Sequence, residues 1–245
     1  MMWSAALWVG AMMVPLSASA QSGAGNGYMF GAPGGTLTLR AGLARPAERS
    51  DLFTFVRDEL TLARGDFSGG SMSVDAALFV RPRVAVQFGI GYAGRTTAST
   101  YRHMVDNNNR EIEQASSLRR LPLSAGVRYY LAPPGRSVGS LAWVPARVAP
   151  YVAAGGGITW YRFSQSGDFV DYQTLDVFNT SLKSDAWSPS AFTAVGADYA
   201  LSARVGLVGE ARYDWASARL NSDFSGFNRI DLSGLAVTAG LSYRF

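Results

Sequence analysis

Gly234-Leu235-Ala236-Val237-Thr238-Ala239-Gly240-Leu241-Ser242-Tyr243-Arg244-Phe245 alternates without interruption. Leu235, Val237, Ala239, Leu241, Tyr243 and Phe245 share one parity, and the residues between them are small or polar. Successive side chains of a strand point to opposite faces, so this stretch is a strand with one apolar and one polar face. A strand of a soluble sandwich does not normally run flush to an aromatic last residue. The pattern predicts the closing strand of a transmembrane barrel, with lipid on one side and a polar lumen on the other.

Seven further stretches carry the same alternation, and each is at least as long as the roughly 9–11 residues a tilted membrane strand needs. The eight predicted strands are 36–45, 71–80, 84–95, 118–131, 148–163, 191–201, 205–216 and 231–245. The connectors at 81–83 and 202–204 are very short, whereas those at 46–70, 96–117, 164–190 and 217–230 are long and polar. Short turns at one end and long external loops at the other are the sign of an up-and-down outer-membrane barrel. The connector at 132–147 departs from the pattern, being long where a short turn is due; its Trp143 suggests a segment lying against the inner leaflet surface.

Parity then sorts the strand residues by face. The outward sets run Leu37/Leu39/Ala41/Leu43, Val74/Ala76/Leu78/Val80, Val84/Val86/Phe88/Ile90/Tyr92, Leu121/Leu123/Ala125/Val127/Tyr129, Val152/Ala154/Ile158/Trp160, Val195/Ala197/Tyr199, Val205/Leu207/Ala211/Tyr213 and Leu235/Val237/Leu241/Tyr243. None is charged, as expected where a charge at mid-bilayer costs about 2–4 kcal/mol. Arg45, Arg119, Arg162 and Asp231 share the outward parity but stand at external strand ends, at or above the headgroups. Tyr92, Trp160, Tyr213 and Trp215 mark the external interface, and Tyr129, Tyr199, Tyr243 and Phe245 the periplasmic one, as two aromatic girdles.

The inward face carries Arg40, Asp75, Arg128, Asp198, Glu210, Arg212, Asp214 and Arg244, with Gln87. Arginines and acids match in number, and a poorly hydrated lumen favours their pairing. Counting from the periplasmic ends puts Arg40 level with Asp75 on the next strand, and Arg128 level with Asp198 two strands away. Glu210 and Arg40 meet near the closing seam. Eight strands enclose a lumen just wide enough for side chains to fill. The expectation is therefore a plugged, ion-paired lumen, with a gated conduction path as the alternative.

Bulk composition agrees. Hydrophobic residues make up 48% of 245, with 27 glycines and 12% aromatics, yet mean hydropathy is only +0.05. Alternating strands dilute the apolar signal in this way, whereas membrane helices do not. There is no Cys, which excludes structural disulfides and a lipid anchor on an N-terminal Cys. The net charge of +4 is scattered over strands and turns, not gathered into the basic face that nucleic-acid binding needs.

Residues 1–20 are uncharged, with an apolar core over 5–13, then Pro15 and Ala18-Ser19-Ala20. This is read as a signal peptide with an A-x-A cleavage site before Gln21, since the apolar core is short for a membrane-spanning helix. Residues 21–35 form a Gly-rich, flexible periplasmic lead-in, and the barrel occupies 36–245.

The remaining motifs carry little chemistry. The sole histidine, His103, stands on the second external loop with no neighbouring Ser–acid constellation, so neither catalysis nor a cofactor is expected. Arg64-Gly65-Asp66 on the first external loop is read as a turn into the second strand, with adhesive display as the alternative. Ser50–Leu62 is unusually apolar for a loop: it is either a short helix capping the mouth, with Ser50 as N-cap, or an extension of the wall. Asp106-Asn107-Asn108-Asn109 and Asp168/Asp171/Asp176 lack the spacing of an EF-type calcium loop, and no metal site is assigned. Gly155-Gly156-Gly157 is mid-strand and permits close packing, not phosphate binding.

The chain resembles the small, eight-stranded outer-membrane β-barrel domain proteins. The likeness rests on the N-terminus, Arg128-Tyr129-Tyr130-Leu131-Ala132-Pro133, Pro150-Tyr151-Val152, Gly209-Glu210-Ala211-Arg212-Tyr213 and Leu241-Ser242-Tyr243-Arg244-Phe245. It implies residence in the bacterial outer membrane and insertion by the barrel-assembly machinery, read from Tyr243 and Phe245. Such proteins serve as structural proteins, adhesins, serum-resistance factors, small-solute channels or lipid-modifying enzymes. The reading reached is an all-β, eight-stranded antiparallel, monomeric, non-enzymatic barrel. Its partners are outer-membrane lipids and, through its loops, an extracellular ligand or surface. The alternatives are a narrow channel for small or hydrophobic solutes and a lipid-modifying enzyme.

Overall fold

The computed structural model describes residues 27–106, 109–139, 141–171, 174 and 176–245. The predicted signal peptide and residues 21–26 of the lead-in lie outside the described residues. Twelve strands follow in chain order: β1 Met29–Phe30, β2 Gly35–Pro46, β3 Gly69–Arg81, β4 Val84–Val105, β5 Glu111–Tyr130, β6 Gly135–Val138, β7 Ala142–Pro145, β8 Val148–Val170, β9 Val177–Ala200, β10 Val205–Ala218, β11 Ile230–Asp231 and β12 Gly234–Arg244. One helix, α1 Asp51–Glu59, lies between β2 and β3.

Eight of these strands close a ring in which each pairs antiparallel with its neighbour: β2, β3, β4, β5, β8, β9, β10 and β12. The seam is the pairing of β12 with β2, running from Gly234 opposite Pro46 to Arg244 opposite Thr36. Closure leaves the ring without a free edge at the level of the belt, where the ladder hydrogen bonds are made within the chain. The outward rows stand bare, with Leu39, Leu43, Val127, Val195, Val237 and Leu241 half or more exposed. A continuous apolar belt around a closed antiparallel barrel is the architecture of a transmembrane protein of the bacterial outer membrane. Among the described residues no helix is long and apolar enough to cross a membrane; the strands do so.

Several connectors differ from expectation. The stretches 96–117 and 164–190 are not polar loops, because β4 and β5 continue to Val105 and Glu111, and β8 and β9 to Val170 and Val177. From Leu118 on β5 and Tyr161 on β8 toward the external end, alternation takes the opposite sense. Leu118, Ile112, Tyr161 and Phe163 turn inward and are buried, while Arg119, Glu113 and Arg162 face water. The predicted start of the last strand at 231 is also corrected: Ile230–Asp231 pairs separately with β10, and β12 begins at Gly234.

The connector at 132–147 folds as a hairpin, β6 with β7, joined by β1 from the lead-in into a three-stranded sheet. Trp143 is buried against Met29 and Ala203. It packs on protein at the short-turn end and does not rest on the leaflet.

Besides register shifts at Phe79/Arg81 and Thr100/Val105, one ladder is interrupted inside the belt. The pairing of β4 with β5 runs through Ile90–Leu123 and resumes at Ala93–Arg120. Between them Gly91 and Tyr92 face Leu121 and Pro122, and Pro122 has no N–H to give.

Candidate functional site: a lumen closed in two layers

The lower layer sits within the apolar belt. Arg40 on β2 is its centre: Nη2 donates to Asp75 Oδ2 at 2.5 Å, and Nη1 lies 2.5 Å from Glu210 Oε2 across the seam. The second contact lacks hydrogen-bond geometry and is a charge contact. Ser73 joins the group, accepting from Arg40 Nε at 3.3 Å and donating to Asp75 at 3.2 Å. Arg128 comes from the opposite wall. It donates to Gln87 at 3.0 Å, approaches Glu210 at 3.9 Å and stacks over the Tyr151 ring at 4.2 Å. The Tyr151 hydroxyl donates to Glu210 Oε2 at 2.8 Å.

Arg128 and Asp198 are therefore not partners, although their heights match. The Tyr130 hydroxyl takes Asp198 instead, at 2.9 Å: Asp198 faces Ala149 on β8, two residues from the partner of Tyr130 and four from the partner of Arg128. Arg244 lies nearby and donates weakly to the carbonyls of Ser202 and Ala203. Arg40, Asp75, Arg128, Asp198 and Glu210 are each no more than 5% exposed. Together with Arg244 they make three cations and three anions in a water-poor space, a balance that offsets their desolvation.

Arg212 and Asp214 form a separate pair one step higher, two residues apart on β10. Arg212 Nη2 meets Asp214 Oδ1 at 2.9 Å, Nη1 donates to Ser124, and the guanidinium lies 3.8 Å from the Phe192 ring. Phe192 itself covers Gly126 and Gly155; a Cβ at either would sit within 2.9 Å of the ring. These glycines leave room for an aromatic side chain, and at Gly155 this is the close packing expected of the mid-strand glycines. Next to this pair is a cavity of about 70 Å³, lined by Arg40, Ser73, Arg120, Ser124, Arg212 and Asp214 among others.

The upper layer is apolar. Leu52, Phe53 and Val56 of α1 pack with Leu60, Leu62 and Phe67, and with Leu118, Tyr161, Phe163, Phe224, Ile230 and Leu232 from the walls and the last loop. The rings of Phe53, Phe67, Phe163 and Phe224 are in contact at centroid distances of 5.4–6.2 Å. Within Ser50–Leu62, Asp51–Glu59 is thus a helix inside the mouth, and Leu60 bridges to Tyr101 on β4. Ser50 makes no side-chain cap; Asp51 accepts from Leu52 N at 2.9 Å and from the Asn228 amide groups at 2.9 and 2.8 Å. These bonds, led by the Asn228 backbone N–H, hold the Asp51 carboxyl below the usual range. Arg120 seals the junction of the layers by donating to the Leu232 carbonyl at 2.7 Å.

Glu48 ties the helix to the following turn. It is 1% exposed, lies 3.7 Å from Arg57 Nη1 and accepts from Gly65 N at 3.2 Å. Burial pushes its carboxyl above the usual range, against the Gly65 hydrogen bond and the Arg57 charge. Gly65 adopts φ +100°, and Asp66 accepts from Ala63 N at 2.8 Å, so Arg64-Gly65-Asp66 is a braced turn. His103 is exposed on β4, not on a loop. Among the described residues no cluster of His, Asp or Glu has the form of a metal site. Tyr243 lies on the outer belt beside Val205 and Leu37, and the Phe245 carbonyl accepts from Gly34 N.

The reasoning from residues missed Tyr130, Tyr151, Phe192 and Arg120. The signal was present, since each has inward parity on a strand correctly located; Tyr130 follows Tyr129, and Tyr151 precedes Val152.

No family model matches the sequence, and no curated protein matches it. Several solved structures are similar. One is Neisserial surface protein A, at 17% identity over 88% of this chain and 99% of that one, with a TM-score of 0.46. A second is the outer membrane protein OprG from Pseudomonas aeruginosa, at 17% identity over 89% and 99%, TM-score 0.47. A third is Ail, the attachment invasion locus protein of Yersinia pestis, solved with the heparin analogue sucrose octasulfate, at 12% identity over 86% and 99%, TM-score 0.41. At these values the fold assignment rests on the strand ladders above, and no role passes from these proteins to this chain.

Proposed function

We propose that this outer-membrane barrel is a monomeric, non-enzymatic and non-conducting protein whose extracellular extension presents a surface to a ligand or neighbour. The observation that carries the reading is the double closure of the lumen. An ion-paired layer inside the belt and an apolar layer above it border a cavity of about 70 Å³ between them. A polar path for solutes needs continuous hydration, which neither layer supplies. The external structure is by contrast well built: two long hairpins, a helix and a braced turn share one core. A rigid scaffold of this kind is what positions a recognition surface.

Planar-bilayer recording of the folded protein is the test. The expected result is no unitary conductance in the wild type and none after Phe53→Ala. Steps in the wild type would overturn the reading. A second reading, uptake of a small hydrophobic solute, is favoured by one observation. The broken ladder at Gly91–Pro122 borders the cavity, and outward-facing Ile90 and Tyr92 contribute to its lining. Faster entry of a hydrophobic dye into vesicles carrying the protein, abolished by Pro122→Val, would support that route over the first.

A further inference from the structure

Three cross-strand rows cross the outer wall where it leaves the belt. Leu121, Trp160 and Trp187 form the lowest, directly opposite one another on β5, β8 and β9. Arg119, Arg162 and Asp185 form the next, and Ser117, Ser164 and Lys183 the third. The step between rows is two residues, roughly 7 Å along a strand. Trp187 is 53% exposed, and paired tryptophans of this kind settle at the membrane–water interface. The second row is therefore at headgroup level.

Placing Arg119 directly opposite Arg162 is unfavourable by itself, since like charges facing across a ladder repel. Arg162 has partial relief. Its Nη2 lies 3.5 Å from Asp185 Oδ1, with both side chains over 40% exposed, and its guanidinium lies 5.1 Å from the Trp160 ring. Arg119 has none: among the described residues it forms no ion pair, and neither does Lys183. Gly94 faces Arg119 on β4, and both the Arg119 stem and the Tyr92 hydroxyl lie over it, at 3.3 and 3.0 Å from where a Cβ would be. Thr96 and Ser117, one row up, add hydroxyls joined at 3.0 Å. The patch thus offers two guanidiniums, an ammonium, a phenol and the exposed Thr96 hydroxyl against two carboxylates, Asp185 and Asp223, the second accepting from Lys183 N at 3.0 Å.

We infer that this patch is a binding site for the phosphate group of an outer-leaflet lipid headgroup. A phosphate oxygen set between Arg119 and Arg162 would relieve their repulsion and match the fork of each guanidinium. The acyl chains would run down the Leu121, Trp160 and Trp187 row, whose orientation is the reason for favouring a lipid over a soluble anion. Asp185 would compete for Arg162 and set an upper limit on affinity.

The test is native mass spectrometry of the folded protein, released from micelles that contain phosphatidic acid and phosphatidylcholine in equal amounts. The wild type is expected to retain phosphatidic acid in preference. Arg119→Gln with Arg162→Gln should lower that retention about tenfold or more, given roughly 1.5–3 kcal/mol for a hydrogen bond to a charged group. Asp185→Asn should raise it, and Arg83→Gln, at the short-turn end, should leave it unchanged. A heat-modifiable gel shift in each variant verifies the fold. Equal retention by the wild type and the double variant, or no gain in Asp185→Asn, would overturn the site. Displacement of the lipid by inorganic phosphate at low concentration would assign the site to a free anion, overturning the lipid.

Discussion

The two halves of this barrel obey opposite rules. Below the Trp160–Trp187 row the walls are apolar outside and charged within; above it they are charged outside and, around α1, enclose an apolar core. The reversal takes place along single strands. On β5 the inward face passes from Arg128 through Ser124 and Arg120 to the buried Leu118 and Ile112, while the outward face passes from Val127 and Leu123 to Arg119 and Glu113. The strand continues; its solvent changes. Inside the belt the lumen is the more polar medium and lipid the less polar one, so charges turn in. Above the belt water surrounds the wall, so the hydrophobic effect turns apolar groups inward as in any soluble domain. What differs is the failure mode. The lower half depends on mutual charge compensation, and the upper half on area removed from water.

That contrast can be broken most sharply at Glu210. Glu210→Ala leaves Arg40 facing only Asp75, and leaves Arg128 with a neutral amide. It is expected to cost about 3–5 kcal/mol, read from the urea midpoint of the barrel in lipid vesicles. Tyr151→Phe, which removes a donor from the same carboxylate, should cost about 1–3 kcal/mol by the same measurement. If Glu210→Ala is neutral, the lower half is not held by charge.

Phe53→Ala probes the upper half. The cavity should cost about 3–5 kcal/mol of local stability, but the ring of strands beneath is independent of α1. The expected outcome is faster proteolysis of residues 51–68 with an unchanged heat-modifiable shift. Loss of the shift would mean the halves fold as one unit.

A smaller effect separates two carboxylates on the upper half by pH. The raised carboxyl of Glu48 takes up its proton more readily folded than unfolded. Its contribution is therefore present in full in acid and lost as pH rises through its folded value. Asp51 is lowered, so its contribution holds above the usual carboxylate range and is lost in acid. Proteolysis of the helix should therefore slow with acid from about pH 7 to pH 4 in Asp51→Asn, and quicken with acid only below about pH 4 in Glu48→Gln. The same trend in both variants would remove the distinction.

The smallest effect lies at the boundary. Pro122→Val restores a ladder donor opposite Gly91 and should stabilise the wall by roughly 0.5–1.5 kcal/mol. No change would mean that water or a neighbouring group already satisfies the Gly91 carbonyl.

How much of this could be read from residues varies with the half. In the belt every second position is constrained by lipid, so parity located all eight strands and sorted Arg40, Asp75, Arg128 and Glu210 to one face. Above the belt the same alternation continues through Thr96–Thr100 and Ser164–Gly167, but these runs are polar on both sides of the wall or nearly so, and they read as loops. The Arg40 contacts with Asp75 and Glu210 follow from register between adjacent strands and from the seam. The Arg128 environment does not, because a long side chain in a narrow lumen can reach several walls, and Tyr130 and Tyr151 decide the outcome.

The alternation of the chain by itself determined the barrel, its strand number and the identity of its lipid-facing residues, because hydrocarbon penalises any charged outward position whatever else the protein does. Only the tertiary structure decided which charges pair across the lumen, that α1 enters the mouth, and that Arg119 faces Arg162. Each of these depends on which strands become neighbours and at what height, a distance set by closure of the ring and not by any local run of residues.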